Sequence, residues 1–430
     1  MSNQKVNIVT LGCSKNLVDS EHLLKQFEAN GFEVMHDSNK PSDVVIINTC
    51  GFILDAKEES ISMIMDYVDA KERGLVKKVY VMGCLSARYK DDLISEIPEV
   101  DRFFGKFDFD AIINELGVQK RKDLLFDRHL TTPSHFAYLK IAEGCNRTCA
   151  FCAIPQFTGN YKSVSIEDLV AEAEKLASQG VKELLLIAQE LTSYGLDIYK
   201  EKKLPELIDR LSAIEGIEWI RLHYAYPSQF PVELLQVMRN NPKVCKYLDI
   251  PFQHVSDHVL SDMRRNVSGQ QTRELINLIR SEVPGIALRT TLLVGFPGET
   301  EDDFHQLIEF VKEMKFDRLG VFPYSHEDDT YAAKKYSDDI PQEIKQARAD
   351  KLMAVQQTIS EEIAASKVGR TLKVLIDRKE GEYYVGRTEF DSPEVDGEVL
   401  ISTSKRLKKG TFYNVRITSS DMFDLFGEVE

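Results

Sequence analysis

The first 130 residues alternate short apolar, β-branched runs with longer amphipathic stretches. The runs 6–11, 43–48 and 78–82 predict strands, and the stretches 19–30 and 55–71 predict helices. The first helix is expected to stop at Asn30 and Gly31, since glycine favours a helix end. Strands that alternate with helices are typical of a parallel sheet. The pattern therefore predicts a doubly wound parallel α/β domain over residues 1–130.

The polar stretch 127–134 predicts a linker, after which strands and helices alternate again. Helices are predicted at stretches such as 165–179, 301–315 and 341–365, and strands at 136–141, 183–188, 219–223, 247–251, 287–294 and 318–322. Six β/α units predict a partial (β/α)6 TIM-like barrel over residues 131–365. In such a barrel the chemistry lies at the carboxyl ends of the strands.

Residues 366–430 carry short alternating runs with turns at 379–382 and 408–410, which predict a small antiparallel β-barrel. The length of 430 residues fits about three domains, and 43% apolar with 29% charged residues is a globular composition. The first residues lack the apolar core of a signal peptide, and no apolar run is long enough to span a bilayer. We therefore expect a cytoplasmic protein without membrane contact.

Three of the seven cysteines lie within eight residues, as Cys145-x-x-x-Cys149-x-x-Cys152, directly after the first predicted barrel strand. Three thiolates on one loop can hold three irons of a [4Fe–4S] cube, which leaves the fourth iron open for a small molecule. The alternative is a zinc site. Structural zinc sites close with four ligands, and no fourth thiol or histidine lies nearby in the sequence.

Three further cysteines, Cys13, Cys50 and Cys84, each follow an apolar strand of the first domain. Because the carboxyl ends of parallel strands share one edge of the sheet, these thiols are expected to converge as a second three-thiolate site. The alternative for each is an inert buried cysteine. Cys245, beside another predicted strand, is expected to be such a core residue.

The segment Glu143-Gly144-Cys145-Asn146-Arg147-Thr148-Cys149-Ala150-Phe151-Cys152 resembles the signature of radical S-adenosylmethionine (SAM) enzymes. This resemblance implies that the open iron binds the amino and carboxylate groups of SAM. One electron then cleaves SAM to a 5′-deoxyadenosyl radical, while the protein positions the cofactor.

Together with Cys13, Cys50 and Cys84, the chain resembles the methylthiotransferase family of radical SAM enzymes over essentially its whole length. The resemblance implies two [4Fe–4S] clusters, with the sulfur donor held by these three cysteines, and two SAM molecules, one that donates a methyl group to that sulfur and one that is cleaved. It also implies that the terminal barrel is a TRAM domain of OB-like form.

The same resemblance implies SAM contacts at the carboxyl edge of the predicted barrel: Phe151 beside the adenine, Gln189 and Glu190 at the amino group, Gly295 in a close-approach loop, and Arg289 at the carboxylate or ribose. Each contact has an alternative. Phe151 would simply pack within its loop, and Gln189 and Glu190 would form a solvated turn. Gly295 would belong to a turn before a helix cap, and Arg289 would form an ion pair. No constellation for general acid or base catalysis is evident, and none is needed beyond the cluster ligands.

Three stretches, 12–21, 137–141 and 249–254, resemble the branch of the family that methylthiolates the β-carbon of an aspartate in the twelfth small-subunit ribosomal protein. The alternatives are a tRNA adenosine methylthiotransferase and, from another class, a non-catalytic metal-binding scaffold for RNA. His254 ends the third stretch, and its alternative is an ordinary hydrogen-bonded histidine. Thr158 and Val164 depart from the arginines that relatives usually have near Gly159.

Charge is an independent guide to the partner. The net charge of −15 argues against an extended nucleic-acid surface, and residues 368–430 carry ten Lys or Arg against twelve Asp or Glu. This balance favours a basic ribosomal protein as the partner, with RNA contact only through the ribosome. The basic turn 405–409 argues the other way. By family likeness, the electron donor is expected to be a low-potential flavodoxin or ferredoxin.

Overall fold

The computed structural model describes residues 4–430, and these form two compact units. The first unit comprises the described residues up to Thr132, together with Tyr138–Arg147 and Cys152–Leu176. The second unit comprises Pro133–Ala137, Thr148–Phe151 and Ala177–Glu430. The domain boundaries near residues 130 and 365 stay predictions from the sequence.

A five-stranded parallel sheet of order β2-β1-β3-β4-β5 forms the centre of the first unit. The elements up to residue 132 are β1 (Lys5–Thr10), α1 (Ser14–Ala29), β2 (Glu33–His36), β3 (Ser42–Thr49), α2 (Leu54–Glu72), β4 (Val76–Gly83), α3 (Cys84–Arg88), α4 (Lys90–Glu96), β5 (Arg102–Phe103), α5 (Phe109–Glu115) and a 3₁₀ turn (Lys122–Leu124).

Apolar side chains cover both faces of this sheet. Val6 and Ile8 pack against α1, whereas Val45 and Ile47 pack against α2 on the other face. The predicted doubly wound α/β fold is confirmed. Helix α1 begins at Ser14, earlier than predicted, because its first turn buries the polar side chains of Lys15 and Asn16, which obscures the helical period.

The chain then passes through β6 (Phe136–Lys140), β7 (Ala142–Glu143), α6 (Ile154–Thr158), β8 (Lys162–Ser163) and α7 (Ile166–Ser178). The elements that follow, up to the terminal barrel, are β9 (Glu183–Ile187), a 3₁₀ turn (Leu191–Ser193), α8 (Leu204–Ser212), β10 (Trp219–Leu222), α9 (Glu233–Asn240), β11 (Val244–Asp249), α10 (Asp257–Asp262), α11 (Gly269–Glu282), β12 (Ala287–Val294), α12 (Glu301–Met314), β13 (Arg318–Pro323), α13 (Tyr331–Lys335) and α14 (Gln342–Ala365).

Strands β6, β9, β10, β11, β12 and β13 form one six-stranded sheet in sequential order. The pairs from β9 to β13 are parallel, and helices connect them. This is the predicted partial (β/α)6 barrel. Strand β11 begins at Val244, three residues before its predicted start, so that Cys245 lies inside it and is buried, as expected.

The terminal strands are β14 (Thr371–Glu380), β15 (Tyr383–Arg387), β16 (Val399–Ser402), β17 (Phe412–Ser420) and β18 (Leu425–Val429). They close a barrel of order β14-β15-β16-β18-β17. The pair β16 and β18 is parallel, which departs from the predicted antiparallel barrel. The reason is topological, since a ring with an odd number of strands cannot alternate direction at every pair.

This barrel packs against the six-stranded sheet within the second unit. Leu375, Phe390 and Phe412 of the barrel contact Trp219 and Tyr247 of the sheet. The buried carboxylate of Glu183 pairs with Arg221 at 2.7 Å and with Arg387 at 2.8 Å. Because a buried ion is costly without its partner, these pairs fix how the barrel is seated on the sheet.

Among residues 4–430, no helix combines the length and the apolar character that a membrane span requires.

Candidate active site

The cysteines of the N-terminal sheet lie at the carboxyl ends of three adjacent strands. Cys50 follows β3 and Cys84 follows β4 directly, while Cys13 follows β1 after a turn at Gly12. Gly12 has φ +84°, and a Cβ there would lie 2.7 Å from Cβ and 2.8 Å from Sγ of Cys50. Only glycine therefore lets the loop of Cys13 approach the Cys50 thiol this closely.

The three thiols are close enough to influence one another electrostatically. Burial raises the pKa of Cys84 to about 12, and the neighbouring Cys13 and Cys50 raise it further. Burial and then Cys13 also raise the pKa of Cys50. Burial acts in the same direction on Cys13, but Lys15 and Lys106 together with backbone N–H groups hold its pKa below the usual value. These influences support the predicted convergence of the three side chains, which stays a prediction.

Lys106 was not predicted from the sequence, and it is the buried cation of this site. Its Nζ lies 3.7 Å from Sγ of Cys84 and 3.4 Å from Oδ1 of Asn16, with the side chain 2% exposed. The carboxylates of Asp19 and Glu143 lie 3.9 and 3.6 Å from the same ammonium. Lys106 lies in a turn, where a lysine is ordinarily exposed, so the sequence does not indicate that its side chain is buried.

Asn16 holds the strand ends together. Its Nδ2 donates to the carbonyls of Leu11, at 3.0 Å, and Thr49, at 3.2 Å, so it ties the loop after β1 to the end of β3. Asn48 in turn donates to the carbonyl of Asn16 at 2.9 Å. The loops that carry Cys13 and Cys50 are therefore fixed by buried hydrogen bonds.

The donor chemistry suits an iron–sulfur cube. Among residues 4–430, no three Cys, His, Asp or Glu side chains meet at one point as the ligands of a single metal ion do. In a four-iron cluster each thiolate binds a different iron, so three neighbouring thiols need not converge on one point. Ala153 and Phe157, which follow Cys152, pack against Cys84 within the first unit.

The loop with Cys145 is held by the segment around Gly159. The Cys145 N–H donates to the Gly159 carbonyl at 3.2 Å, and the Tyr161 N–H donates to Oδ1 of Asn146 at 3.0 Å. Gly144 has φ +79°, and a Cβ there would lie 2.3 Å from the Asn160 carbonyl oxygen. The Cys145 Sγ accepts the Arg147 N–H at 3.4 Å. The loop thus folds back and leaves backbone donors near the sulfur.

Thr158 and Val164, the two departures from the family pattern, support this segment. The Thr158 hydroxyl donates to the Ile154 carbonyl at 2.9 Å inside α6, and the Val164 N–H donates to the Ile141 carbonyl at 2.9 Å.

Cys149 belongs to the second unit, where two buried side chains contact its sulfur. Arg265 Nη1 donates to Sγ at 3.4 Å, and the Tyr226 hydroxyl lies 3.6 Å from it. The next residue, Ala150, donates to the Met263 carbonyl and accepts from the Ala332 N–H. The sequence interpretation missed both contacts, because neither Tyr226 nor Arg265 lies in a recognised motif.

Three of the five predicted SAM contacts are Phe151, Gln189 and Glu190. Phe151 is half-buried and packs on an apolar cluster that includes Ala150, Met263 and Phe296. Gln189 is half-buried just beyond β9. Glu190 is buried, and its two carboxylate oxygens accept hydrogen bonds from Thr192 and Ser193, so it caps its own turn.

The remaining two predicted contacts are taken by neighbours in the second unit. Arg289 donates to Asp249 at 3.2 Å and lies 3.6 Å from Asp396, so the structure contains the ion pair that was its alternative, while its contact with SAM stays a prediction. Gly295 has φ +73°, and a Cβ there would lie 2.2 Å from Cγ of Lys345. Its N–H donates to Glu299, so the close approach at Gly295 is made by Lys345.

Comparison with known proteins identifies the family. The Radical SAM superfamily matches residues 139–311, the Uncharacterized protein family UPF0004 matches residues 5–105, and the TRAM domain matches residues 368–429. "Ribosomal protein uS12 methylthiotransferase RimO" of Phocaeicola vulgatus is 57% identical over 431 residues, covering 100% of both chains. The protein of the same name from Bacteroides fragilis is 58% identical with the same coverage.

The chain belongs to the RimO family of radical SAM methylthiotransferases. A solved structure supports the fold of this RimO-family chain. The radical SAM methyltransferase TsrM from Kitasatospora setae matches with a TM-score of 0.55 at 14% identity, covering 95% of this chain and 84% of TsrM. At that identity the likeness concerns the fold alone.

The RimO-family stretch that ends at His254 is buried. Burial lowers the pKa of His254 to about 3, and its Nδ1 accepts the Ser256 N–H at 3.0 Å. One ring nitrogen is therefore hydrogen-bonded, as in the alternative interpretation, whereas Nε2 has no hydrogen-bond partner in the described part of the chain and lies 3.7 Å from Glu299.

Proposed function

We propose that this chain attaches a methylthio group to the β-carbon of an aspartate in ribosomal protein uS12, using two [4Fe–4S] clusters and SAM. The observation that carries the proposal is identity of 57% and 58% to two RimO proteins over the full length of the chain. Radical SAM family membership itself implies one [4Fe–4S] cluster and SAM. The second cluster is the finer part of the proposal.

The proposed ligands of the SAM-binding cluster are Cys145, Cys149 and Cys152. Those of the auxiliary cluster are Cys13, Cys50 and Cys84. When bound, the first cluster supplies the electron that cleaves SAM, and the second supplies the sulfur that is transferred. The close approach of Cys50 to Gly12 and the mutual influence of the three thiols support the second set.

The chain's own residues hold the reacting groups in place and limit the access of water. Lys106 offsets negative charge at Cys84, and Asn16 fixes the loops that carry Cys13 and Cys50. Tyr226 and Arg265 shield Cys149 from solvent, since both are buried against it. No side chain is proposed to transfer a proton.

For SAM we propose contacts from Phe151 through packing and from Gln189 at the strand edge. Both carboxylate oxygens of Glu190 already accept hydrogen bonds within its own turn, so Glu190 would contact SAM only by sharing one of them. The Gly295 N–H already donates to Glu299, so Gly295 would contact SAM only through its carbonyl. Arg289 is not included, because Asp249 and Asp396 already neutralise it.

The exposed charges of the terminal barrel favour a basic protein substrate less than the count from the sequence does. The side chains of Asp377, Asp391 and Asp396 in the terminal barrel are at most 9% exposed and pair with buried cations. With these carboxylates and Arg387 buried, the remaining charges of the barrel balance at nine of each sign. The choice of uS12 therefore rests on the relatives and not on electrostatics.

The test compares the two candidate substrates in parallel incubations. The anaerobically reconstituted enzyme is incubated with SAM, dithionite and either uS12 or unmodified tRNA, and each product is analysed by mass spectrometry. A methylthio group on one aspartate of uS12, with tRNA unchanged, is the expected result. Modified tRNA with unmodified uS12 would instead assign the tRNA activity.

A scaffold without catalytic activity would produce no 5′-deoxyadenosine in the same incubation.

We further propose a low-potential flavodoxin or ferredoxin as electron donor and RNA contact only through the ribosome. Replacing dithionite by a reduced flavodoxin tests the first, and comparing free uS12 with assembled small subunits tests the second.

A further inference from the structure

Arg265 is buried beside the middle cysteine of the Cys145-x-x-x-Cys149-x-x-Cys152 segment. It is 3% exposed, and its Nη1 donates to Sγ of Cys149 at 3.4 Å. The second terminal nitrogen donates to the Pro251 carbonyl, and Cζ lies 4.4 Å from the centre of the Tyr226 ring. The guanidinium is therefore fixed on three sides against the sulfur.

This guanidinium differs from the other buried arginines in having no carboxylate partner. Arg128, Arg221 and Arg387 each form an ion pair with at least one glutamate or aspartate. Among residues 4–430, the contacts described for Arg265 are a thiol, a carbonyl and an aromatic ring, and its Nε has no hydrogen-bond partner. Burying an arginine without a counter-ion is costly, which points to an anion at this position.

The backbone around Arg265 is also unusual. Arg264 has φ +57° and Asn266 has φ +52°, so two non-glycine residues in the left-handed region flank it. Such conformations cost energy and persist where the surroundings impose them, often at functional sites. The Arg265 N–H donates to the Leu260 carbonyl at 3.0 Å, which fixes this turn at the end of α10.

We infer that Arg265 is a positioning residue that supplies the positive charge facing the SAM-binding cluster at Cys149 and thereby raises the reduction potential of that cluster. The inference rests on the proposed function, because it takes Cys149 as a cluster ligand. Three thiolates and a [4Fe–4S]²⁺ core carry one net negative charge, and reduction adds one electron from an external donor without forming or breaking a bond. A fixed cation at 3.4 Å favours the more negative, reduced form.

Tyr226 strengthens this effect by excluding water. Its hydroxyl donates to the Arg265 carbonyl at 3.2 Å and lies 3.6 Å from Sγ of Cys149, while its ring covers the guanidinium. In a low-dielectric setting a charge acts more strongly than it does in water. Arginine is suited to the role because it stays protonated under all working conditions.

The test compares Arg265→Gln and Arg265→Lys with the neighbouring control Arg264→Gln. Arg264 is exposed and stacks on the Tyr331 ring, so the control removes one positive charge one residue away. The full chain is reconstituted anaerobically and titrated with dithionite while EPR spectra are recorded. The signal that changes when SAM is added identifies the SAM-binding cluster.

At a fixed potential, Arg265→Gln is expected to lower the ratio of reduced to oxidised cluster at least tenfold, a shift of about 59 mV for one electron. Arg265→Lys and Arg264→Gln are expected to stay within threefold of the parent protein. If Arg265→Gln loses its iron while Arg265→Lys keeps a cluster of parental potential, the requirement for charge is still supported.

Equal ratios in Arg265→Gln and Arg264→Gln would overturn the inference, as would a lysine variant that behaves like the glutamine variant. Loss of iron from both Arg265 variants would overturn it as well, since packing rather than charge would then be the role. If the parent protein shows no signal that responds to SAM, the proposed function itself fails, and this inference fails with it.

Discussion

The ammonium nitrogen of Lys106 lies 3.7 Å from the sulfur of Cys84. Lys106 is as buried as the apolar core around it, and it is held there by the carboxylates of Asp19 and Glu143. Lys140 also pairs with both carboxylates, so two lysines and two acids form one charge cluster at the edge of the sheet. The cluster joins the end of β4 to the strand that leads into the Cys145 loop.

Replacing Lys106 by methionine is therefore expected to destabilise the chain by about 3 kcal/mol, because the buried carboxylate of Asp19 and the half-buried one of Glu143 lose a partner. Thermal unfolding followed by circular dichroism measures this change. Lys120→Met is the control, since Lys120 forms an exposed pair with Asp110 and should cost less than about 0.5 kcal/mol. Equal unfolding temperatures for the two variants would contradict the role of Lys106.

Replacing Gly12 by alanine is expected to displace Cys50, because the added Cβ would lie 2.8 Å from its sulfur. Gly31 is a matched control: its φ of +86° is close to the +84° of Gly12, but no atom lies within 4 Å of its added Cβ. Both variants should lose about 1 kcal/mol from backbone strain. Only Gly12→Ala should also bind less iron than the parent protein after anaerobic reconstitution. Loss of iron from both variants, or from neither, would show that the close contact between residue 12 and Cys50 does not matter for iron binding.

Replacing Arg289 by methionine tests whether this residue is structural. The variant should be less stable by about 2 kcal/mol, because Asp249 and Asp396 are buried and would lose a shared cation. SAM affinity, measured by equilibrium dialysis, should stay within twofold of the parent protein. Arg239→Met, which breaks an exposed pair with Glu282, is the control for stability. A folded Arg289→Met protein that no longer binds SAM would restore the original expectation.

Asp303 is expected to make the second unit sensitive to acid. Burial alone would raise its pKa, but hydrogen bonds from Ser256, Thr300 and His258 hold the pKa well below its ordinary value. A depressed pKa means that the stabilisation is complete above the pKa of an unfolded aspartate and is lost as the pH falls through the lower, folded value.

Asp303→Asn should therefore lower the free energy of unfolding by about 1 kcal/mol near neutral pH, since Asp303 also belongs to the capping box of α12. The gap in stability between the variant and the parent protein should narrow towards pH 3, because the parent loses this stabilisation in acid. Unfolding temperatures between pH 7 and pH 3 measure the gap. Asp302→Asn, an exposed neighbour in the same helical turn, should show a smaller gap. A gap for Asp303→Asn that widens in acid would contradict the argument.

The sequence predicts the elements that carry a clear apolar period. Strand β12 and helix α12 lie within one residue of their predicted bounds, because β12 is a run of apolar and β-branched residues and α12 repeats apolar side chains at helical spacing. Strand β2 was missed because it has four residues, none of which is fully buried. The early start of α1 was missed for a related reason, since Lys15, Asn16 and Asp19 are polar and nevertheless buried.

In the site, the positions of Cys13, Cys50 and Cys84 at strand ends predict that the three form one group, and their mutual electrostatic influence supports this prediction. Lys106 beside Cys84, and Tyr226 and Arg265 beside Cys149, could not be predicted, because all three are far from these cysteines in sequence and lie in irregular segments. The partners of Arg289 could not be predicted, because strand alternation indicates a face of the sheet but not what covers it. Here the loop between β15 and β16 supplies Asp396.

The central claim is that the chain holds two separate cubes, and the iron content of a single cysteine variant tests it most directly. The parent protein, reconstituted anaerobically, should bind about eight irons per chain. Cys13→Ala should bind about four and still cleave SAM to 5′-deoxyadenosine, but without methylthiolation. Cys245→Ala, which removes a buried core thiol, should keep about eight irons. About four irons in the parent protein, or an unchanged iron content in Cys13→Ala, would contradict the account.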